Sequence, residues 1–205
     1  MRKSGWQLLF VSLILFLASC TTSKTYSVQI KYVPQTPPGL EDRELLVGVA
    51  PFTDRRGRDH DVGVREKLDG SLDQFVSAPP SVSEGVRRAV GKFLRAYSFK
   101  VADIEAWNGK VDSLPEIGTD LVVGGEIHRF WGQAESLAGR TVITADVALT
   151  IYLGEPQRRQ VRSRTMEMTR EITEVIFSPE KIEETLNENL SEMIEDIFEE
   201  LLAGG

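Results

Sequence analysis

The chain has a single cysteine, Cys20, and its position is the clearest chemical signal in the sequence. Met1-Arg2-Lys3 gives a basic start, an almost uninterrupted apolar segment follows at 8–18, and Ala18-Ser19 stand directly before the thiol. A basic end, an apolar core of roughly 7–15 residues and small residues at the cut form the layout of a bacterial secretion signal. The apolar segment is shorter than the ~20 residues that a spanning helix needs. We therefore predict that residues 1–19 are removed.

Cys20 directly follows Leu17-Ala18-Ser19, and this arrangement resembles the lipobox of bacterial lipoproteins. The resemblance implies a diacylglycerol on the Cys20 thiol, cleavage before that residue and an acyl group on the freed amine. A plain signal or an uncleaved anchor is the alternative. Thr21 and Thr22 differ from the aspartate that retains many such lipoproteins in the inner membrane of enteric bacteria. We therefore expect membrane lipid as a partner and an outer-membrane location facing the periplasm.

The two histidines, His60 and His128, are weak candidates for a metal site. Zinc needs three or four ligands, and the sequence offers no second cysteine. His128 lies in an expected strand and is interpreted as a packed or surface residue. His60 lies in a charged loop, where solvation is favoured over contact with a divalent cation. No nucleophile elbow, phosphate loop or dinucleotide fingerprint is present, so we predict no catalytic residue, metal or cofactor.

Four residues are candidates for binding: Asp54, Arg55, Arg162 and Arg164. The first two form a turn after a buried strand, where Asp54 alternatively accepts hydrogen bonds from its own loop. The other two belong to a basic stretch over 158–170, whose even-numbered arginines share one face of a strand. That face could meet phosphate headgroups. The favoured interpretation is that it complements the acidic terminal helix through weak surface ion pairs.

The charge balance argues against nucleic acid as a partner. The full chain of 205 residues has 24 basic and 31 acidic residues. Removing residues 1–19, which carry two of the basic residues, leaves a formal charge of −9. Nine acidic residues and one lysine lie between Ser178 and the C-terminus, so most of this charge belongs to the terminal segment. Nucleic-acid-binding domains show a basic excess instead.

Hydrophobic periodicity predicts the order strand, strand, helix, strand, short helix, three strands, helix. The predicted strands cover 25–33, 44–52, 99–107, 120–131, 141–153 and 160–172; the helices begin at Ser81, Val111 and Ser178. The charged segment 54–69 is expected to be a solvated loop, with a helical hint from Val64 to Phe75. The apolar stripe from Ile182 to Leu201 is expected to dock on the sheet, because helices of this length need packing for stability.

This order predicts an α+β domain with two layers. We expect a mixed sheet made of one β-α-β unit (45–107) plus an antiparallel meander, covered by two long helices. The β-α-β crossover should be right-handed. The predicted organisation is a signal peptide at 1–19, a lipidated tether at 20–24 and a single periplasmic domain at 25–205.

Two further motifs accompany the lipobox. Val47-Gly-Val-Ala-Pro-Phe-Thr-Asp54-Arg55-Arg56 is a buried strand that runs into an Asp-Arg turn. Gly118-Thr-Asp120-Leu-Val-Val-Gly-Gly125-Glu-Ile127 is a small turn, an aspartate and a strand. Together they resemble the YajG-like lipoproteins and related envelope lipoproteins with a small α/β domain. The resemblance implies an outer-membrane address and no established catalytic activity.

The expected function is that of a non-catalytic binding or assembly accessory in the bacterial envelope, with envelope proteins as partners. An auxiliary lipoprotein of an ABC-type lipid or lipopolysaccharide transport system is the alternative. A hydrolase is disfavoured because the sequence contains no assembled nucleophile and base.

Overall fold

The computed structural model describes residues 22–34, 44–58, 60–115 and 118–203; Cys20 lies outside the described residues. The elements in chain order are β1 (Thr25–Val28), β2 (Leu46–Asp54), β3 (Asp61–Glu66), β4 (Leu72–Ser77), α1 (Val82–Ala96), β5 (Lys100–Asp103), a 3-10 turn (Val111–Ser113), β6 (Leu121–Leu137), β7 (Arg140–Glu155), β8 (Gln160–Glu174) and α2 (Pro179–Ala203).

The strands form one mixed sheet with β6 at its centre. Along one edge of β6 lies β7 in antiparallel pairing, and β8 follows outside β7. Along the other edge, β2 pairs in parallel with residues 121–127 and β3 pairs in parallel with residues 132–135. The sheet continues beyond β2 with β5 and beyond β3 with β4 and β1. On this side of β6 the sheet therefore divides into two parts, one made of β2 and β5 and the other of β3, β4 and β1.

The predicted fold class is wrong in the size and plan of the sheet. Within the described residues the sheet has eight strands, and it is not a small β-α-β unit joined to a meander. The main reason is segment 61–77, which forms the β3–β4 hairpin, whereas residues up to 69 were expected to be a solvated loop with a helical hint from Val64 to Phe75. Val62 and Phe75 are fully buried in this hairpin, so burial outweighs the charges around them. Gly70 has φ of +77° in the turn, a conformation that glycine adopts without steric cost.

The two helices cover one face of the sheet. Ser81 caps α1 by accepting a hydrogen bond from the Glu84 amide, and α1 packs on β2 and β5. The expected docking of the terminal helix is confirmed. Its fully buried apolar residues on the sheet are Ile182, Leu186, Leu190, Met193, Ile194 and Ile197. In the described part of the chain, no helix combines the length and the apolar character needed to cross a membrane.

The opposite face of the sheet is covered only in part. At the end where β6 begins, Trp107, Leu114 and Tyr152 pack with Ala50 and Val122 in a second, smaller apolar cluster. The remainder of this face, called the open face below, carries mainly polar side chains of β6, β7 and β8. The polar ones are Glu126, His128, Asp146, Thr150, Thr165, Glu167 and Thr169, and Trp131 lies among them.

Candidate functional site

The candidate site lies where the partner of β6 changes from β2 to β3. Asp54, the last residue of β2, stands opposite Ile127, and the parallel pairing of β3 begins at Gly132. The register of β6 with β7 also shifts between Ile127 and Arg129. Such irregularities bend a strand and redirect its side chains. Residues 55–58 therefore lie at a gap in the sheet, between β2 and β3, beside residues 128–131 of β6.

Arg56 fills this gap. Its guanidinium donates hydrogen bonds to the carbonyl oxygens of Asp61 (2.8 Å), Phe130 (3.4 Å) and Arg58 (2.9 Å). Its side chain is 4% exposed, and its Nη2 lies 2.7 Å from Asp54 Oδ2. A buried cation needs both a counter-charge and hydrogen bonds to offset its desolvation. Asp54 supplies the charge, and the interrupted strands supply the carbonyl oxygens.

A cleft of about 280 Å³ opens next to Arg56 on the open face. Its lining residues are Arg56, Arg58, His128, Arg129, Phe130, Trp131 and Asp146. The Arg58 guanidinium lies 4.4 Å from the ring centroid of Trp131, the geometry of a cation–π contact. The residues that follow β2 thus place Arg58 over the ring of Trp131 on β6.

The charges of the cleft are unevenly neutralised. Arg56 is paired with Asp54, and Arg129 is paired across the strands with Glu167. Asp146 accepts a hydrogen bond of 2.5 Å from the Thr169 hydroxyl. Among the residues that the structure describes, no carboxylate lies within ion-pair distance of Arg58. Among the described residues, Arg58 is thus the cleft arginine that has an aromatic contact and no ion pair.

His128 is held in a hydrogen-bonded chain and is not set up for catalysis. Its Nε2 lies 2.8 Å from Thr150 Oγ1, and that hydroxyl lies 2.8 Å from Thr165 Oγ1. A histidine beside a hydroxyl can activate a nucleophile. Here Thr150 is 8% exposed as a residue, and its hydroxyl is held between His128 and Thr165, so it is not presented to the cleft as a free nucleophile. The described residues also contain no group of three His, Cys, Asp or Glu side chains suited to a metal ion.

The four predicted binding residues do not converge on one site. Asp54 accepts a hydrogen bond of 3.0 Å from the Arg56 amide. This agrees with the alternative interpretation, in which Asp54 accepts hydrogen bonds from its own loop. Arg55 pairs with Glu126 on the open face. Arg162 and Arg164 stand in register with the buried Leu153 and Ile151, and thus on the helix-covered face.

The predicted basic stretch is largely matched by acidic partners. Arg162 pairs with Glu155 at 2.7 Å, and Arg164 pairs with Glu200 of α2 at 2.7 Å. Arg170 pairs with Glu188 and Glu192, also on α2. The favoured interpretation, that these arginines complement the acidic helix, therefore holds for Arg164 and Arg170. Binding of a ligand by any of the four candidates stays a prediction.

Sequence reasoning missed Arg58 and Trp131 as a pair. Arg58 is one of many charged residues in its segment, and Trp131 ends a predicted strand. Their contact requires β2 and β3 to pair with the same edge of β6. No local sequence pattern predicts this long-range pairing. The available signal was compositional, because tryptophan and arginine are the residue types enriched at interaction hot spots.

Comparisons with known proteins show structures of similar fold but do not assign the chain to a family. No family model and no curated protein matches the chain. A Xanthomonas campestris protein assigned to family DUF330 has a similar structure, with TM-score 0.54 and 15% identity over 85% of this chain and 92% of that one. An uncharacterised protein gives TM-score 0.51 and 15% identity over 88% of this chain and 99% of that one.

A lipoprotein from Neisseria meningitidis is more distant, with TM-score 0.37 and 8% identity over 74% of this chain and 99% of that one. At such identities, the first two likenesses show a shared fold. None of these three proteins is named as an enzyme. The YajG-like family is not among them and stays a prediction.

Proposed function

We propose that this protein is a lipid-anchored envelope lipoprotein that acts as a non-catalytic assembly accessory. Lipid on Cys20 holds it at the outer membrane, facing the periplasm. The cleft around Arg58 and Trp131 docks an acidic segment of an envelope protein. The address follows from the lipobox-like sequence Leu17-Ala18-Ser19-Cys20. The docking role follows from the cleft.

The observation that carries the docking role is the Arg58 guanidinium over the Trp131 ring, at 4.4 Å. Tryptophan and arginine dominate the energetic centres of protein interfaces, where they sit in pockets that exclude water. The planar guanidinium binds a carboxylate through two parallel hydrogen bonds, while one of its faces stays stacked on an aromatic ring. An acidic side chain can thus join Arg58 without displacing it from Trp131.

The groups around this pair favour binding over chemistry. Arg129 and Asp146 each have a protein partner, Glu167 and Thr169, which orients them before a ligand arrives. Arg56 is locked into the sheet and fixes the floor of the cleft. Rigid, pre-organised side chains reduce the entropy that is lost on docking.

The test is a comparison of partners captured from cells. Tagged wild-type protein, Trp131→Ala and Arg58→Gln are cross-linked in the envelope, extracted in mild detergent and analysed for co-purifying proteins. Arg88→Gln is the matched control, because Arg88 is an exposed arginine of α1, which covers the opposite face, and it pairs with Glu84. Circular dichroism confirms that each variant is folded.

We expect an envelope protein that co-purifies with the wild type and the control. Its recovery should fall roughly 30-fold with Trp131→Ala, as for a hot-spot loss of about 2 kcal/mol. Equal recovery with all four proteins would contradict docking at the cleft. A permease or an ATPase among the lost partners would favour the transport-auxiliary role instead.

A further inference from the structure

Large aliphatic side chains are exposed together at one end of the sheet. Seven large hydrophobic residues are exposed in the described part of the chain, and four of them share this end. They are Leu68 (71% exposed), Leu72 (48%), Val175 (79%) and Ile176 (82%), called the aliphatic end below. The three largest exposed fractions of the seven belong to this group. Single exposed apolar residues are ordinary, whereas a cluster marks an interaction site.

The strand registers place these four residues at the same end of the sheet. β3 runs parallel to β6 and ends with Glu66 opposite Glu135, so the turn with Leu68 extends past that point. Leu72 pairs with Glu66 across the hairpin. β8 ends with Glu174 opposite Thr141, which itself faces Ser136 of β6. Val175 and Ile176 follow directly, and all four residues therefore flank the β6–β7 turn.

The residue that follows Val175 and Ile176 is packed against the core. This residue, Phe177, lies edge-on to the buried Phe75 ring at 6.4 Å. The Arg65 guanidinium lies 3.8 Å from the Phe177 ring centroid, and Phe177 also packs against the main core. The two exposed side chains thus project from an anchored segment.

The N-terminal segment enters the domain at this same end. Lys67 Nζ donates a hydrogen bond of 2.9 Å to the Thr22 carbonyl oxygen, and the Ser23 hydroxyl donates to the Leu72 carbonyl oxygen. The Lys24 amide donates to Asp73 Oδ1 at 2.9 Å. Asp73 is 1% exposed, with Lys67 as its closest cation at 3.2 Å. The chain is therefore tied to the β3–β4 hairpin from Thr22 onward.

The distance from this point to the lipid site is short. Cys20 precedes Thr22 by two residues, which span at most about 7 Å even when fully extended. A lipid chain on Cys20 therefore brings the Lys67–Leu72 turn to the surface of the bilayer. This step rests on the lipid attachment proposed above.

We infer that the aliphatic end inserts into the lipid leaflet that holds the acylated Cys20. Leu68, Leu72, Val175 and Ile176 are the side chains that enter the lipid, and the long axis of β6 stands away from the membrane. The end carries both signs of charge, including Lys67, Arg140, Glu66 and Asp69. The contact therefore depends on apolar burial and does not require anionic lipid.

This orientation has a consequence for the cleft. Trp131 lies six residues before the end of β6, so the cleft stands about 20 Å above the aliphatic end. Leu45 and Val111, at the other end of the sheet, lie on the order of 50 Å from the leaflet. The open face is thus presented sideways in the periplasm, at a fixed height.

The test places a polarity-sensitive fluorophore at each end of the full lipidated protein. Leu68→Cys and Ile176→Cys are labelled with nitrobenzoxadiazole and reconstituted in phosphatidylcholine vesicles. Acylation of Cys20 leaves the introduced thiol as the reactive one, since the chain has no other cysteine. Val111→Cys is the matched control, an aliphatic residue that is 41% exposed at the other end.

We expect emission from positions 68 and 176 to shift to shorter wavelength on reconstitution and to be quenched by nitroxide-bearing lipid. Emission from position 111 should show neither effect. A probe at 176 that stays as aqueous as the probe at 111 would overturn the inference. A blue shift without quenching by nitroxide lipid would also overturn it, because it would indicate contact with protein.

Labelling the same samples with a palmitate analogue tests acylation of Cys20 separately from insertion of the aliphatic end. If the protein carries the palmitate label but its fluorophores report an aqueous environment, membrane insertion is refuted and the lipid anchor is not. Unlabelled protein would refute the anchor and the inference together.

Discussion

Arg56→Ala should destabilise the protein far more than Arg55→Ala, although the two arginines are neighbours in sequence. Arg56 is 4% exposed, donates to three carbonyl oxygens and pairs with Asp54. Removing one partner of a buried ion pair costs roughly 3–5 kcal/mol. The Asp54 side chain is 25% exposed and regains some hydration, so we expect the lower limit, about 3 kcal/mol.

Arg55 is the control because its side chain is 58% exposed and has Glu126 as its ion-pair partner. Exposed pairs of this kind contribute at most about 1 kcal/mol. The assay is urea unfolding of the mature lipoprotein in a nonionic detergent. With an m-value of about 2 kcal/mol/M, Arg56→Ala should lower the midpoint by roughly 1.5 M and Arg55→Ala by less than about 0.5 M. Equal shifts for the two variants would refute the conclusion that Arg56 closes the gap between β2 and β3.

Three further predictions concern α2 and the location of the protein. Leu190→Ala, a truncation at a fully buried position, should cost about 2–5 kcal/mol, and an unchanged urea midpoint would show that α2 is not a core element. Burial and the hydrogen bond to Glu195 raise the pKa of Tyr32 above its ordinary value, so stability present below pH ~10 should be lost as the pH rises further. Tyr32→Phe should remove this alkaline loss, and pH-dependent unfolding midpoints that match those of the wild type would contradict it. On a density gradient the mature protein should sediment with outer-membrane vesicles, and recovery with inner-membrane vesicles would refute that address.

Strong local periodicity predicted several elements well. The alternation from Thr141 to Leu153 predicts a half-buried strand, and β7 covers Arg140–Glu155. The stripe from Ile182 to Leu201 predicts a docked helix, and α2 buries that stripe. In both cases one face meets the core along the whole element, so the sequence pattern and the burial pattern coincide.

The β3–β4 hairpin escaped prediction because its burial is not local. Val62 and Phe75 are separated by charged residues, and they become core only when β3 joins β6. The helical hint from Val64 to Phe75 fails because Gly70 turns the chain in between. Parallel pairing of β3 with a strand some seventy residues later leaves no short-range signature.

The candidate cleft was missed for the same reason. Arg55 directly follows β2 as predicted, whereas Asp54, predicted to lie in the turn, is the last residue of the strand. The next arginine, Arg56, takes the structural role in the gap. Arg58 then reaches Trp131, which β6 brings alongside. The long-range pairing that creates the gap also creates the site, so neither is visible from spacing alone.

Lipid on Cys20 is the central claim, because the address, the height of the cleft and the insertion of the aliphatic end all depend on it. The most direct test is the intact mass of the protein extracted from envelopes. We predict a polypeptide that begins at Cys20 and carries the added mass of a diacylglycerol and an acyl chain. We also predict that Cys20→Ser lacks this form. A wild-type mass without lipid, whether the chain begins at Met1 or at another residue, would contradict the account.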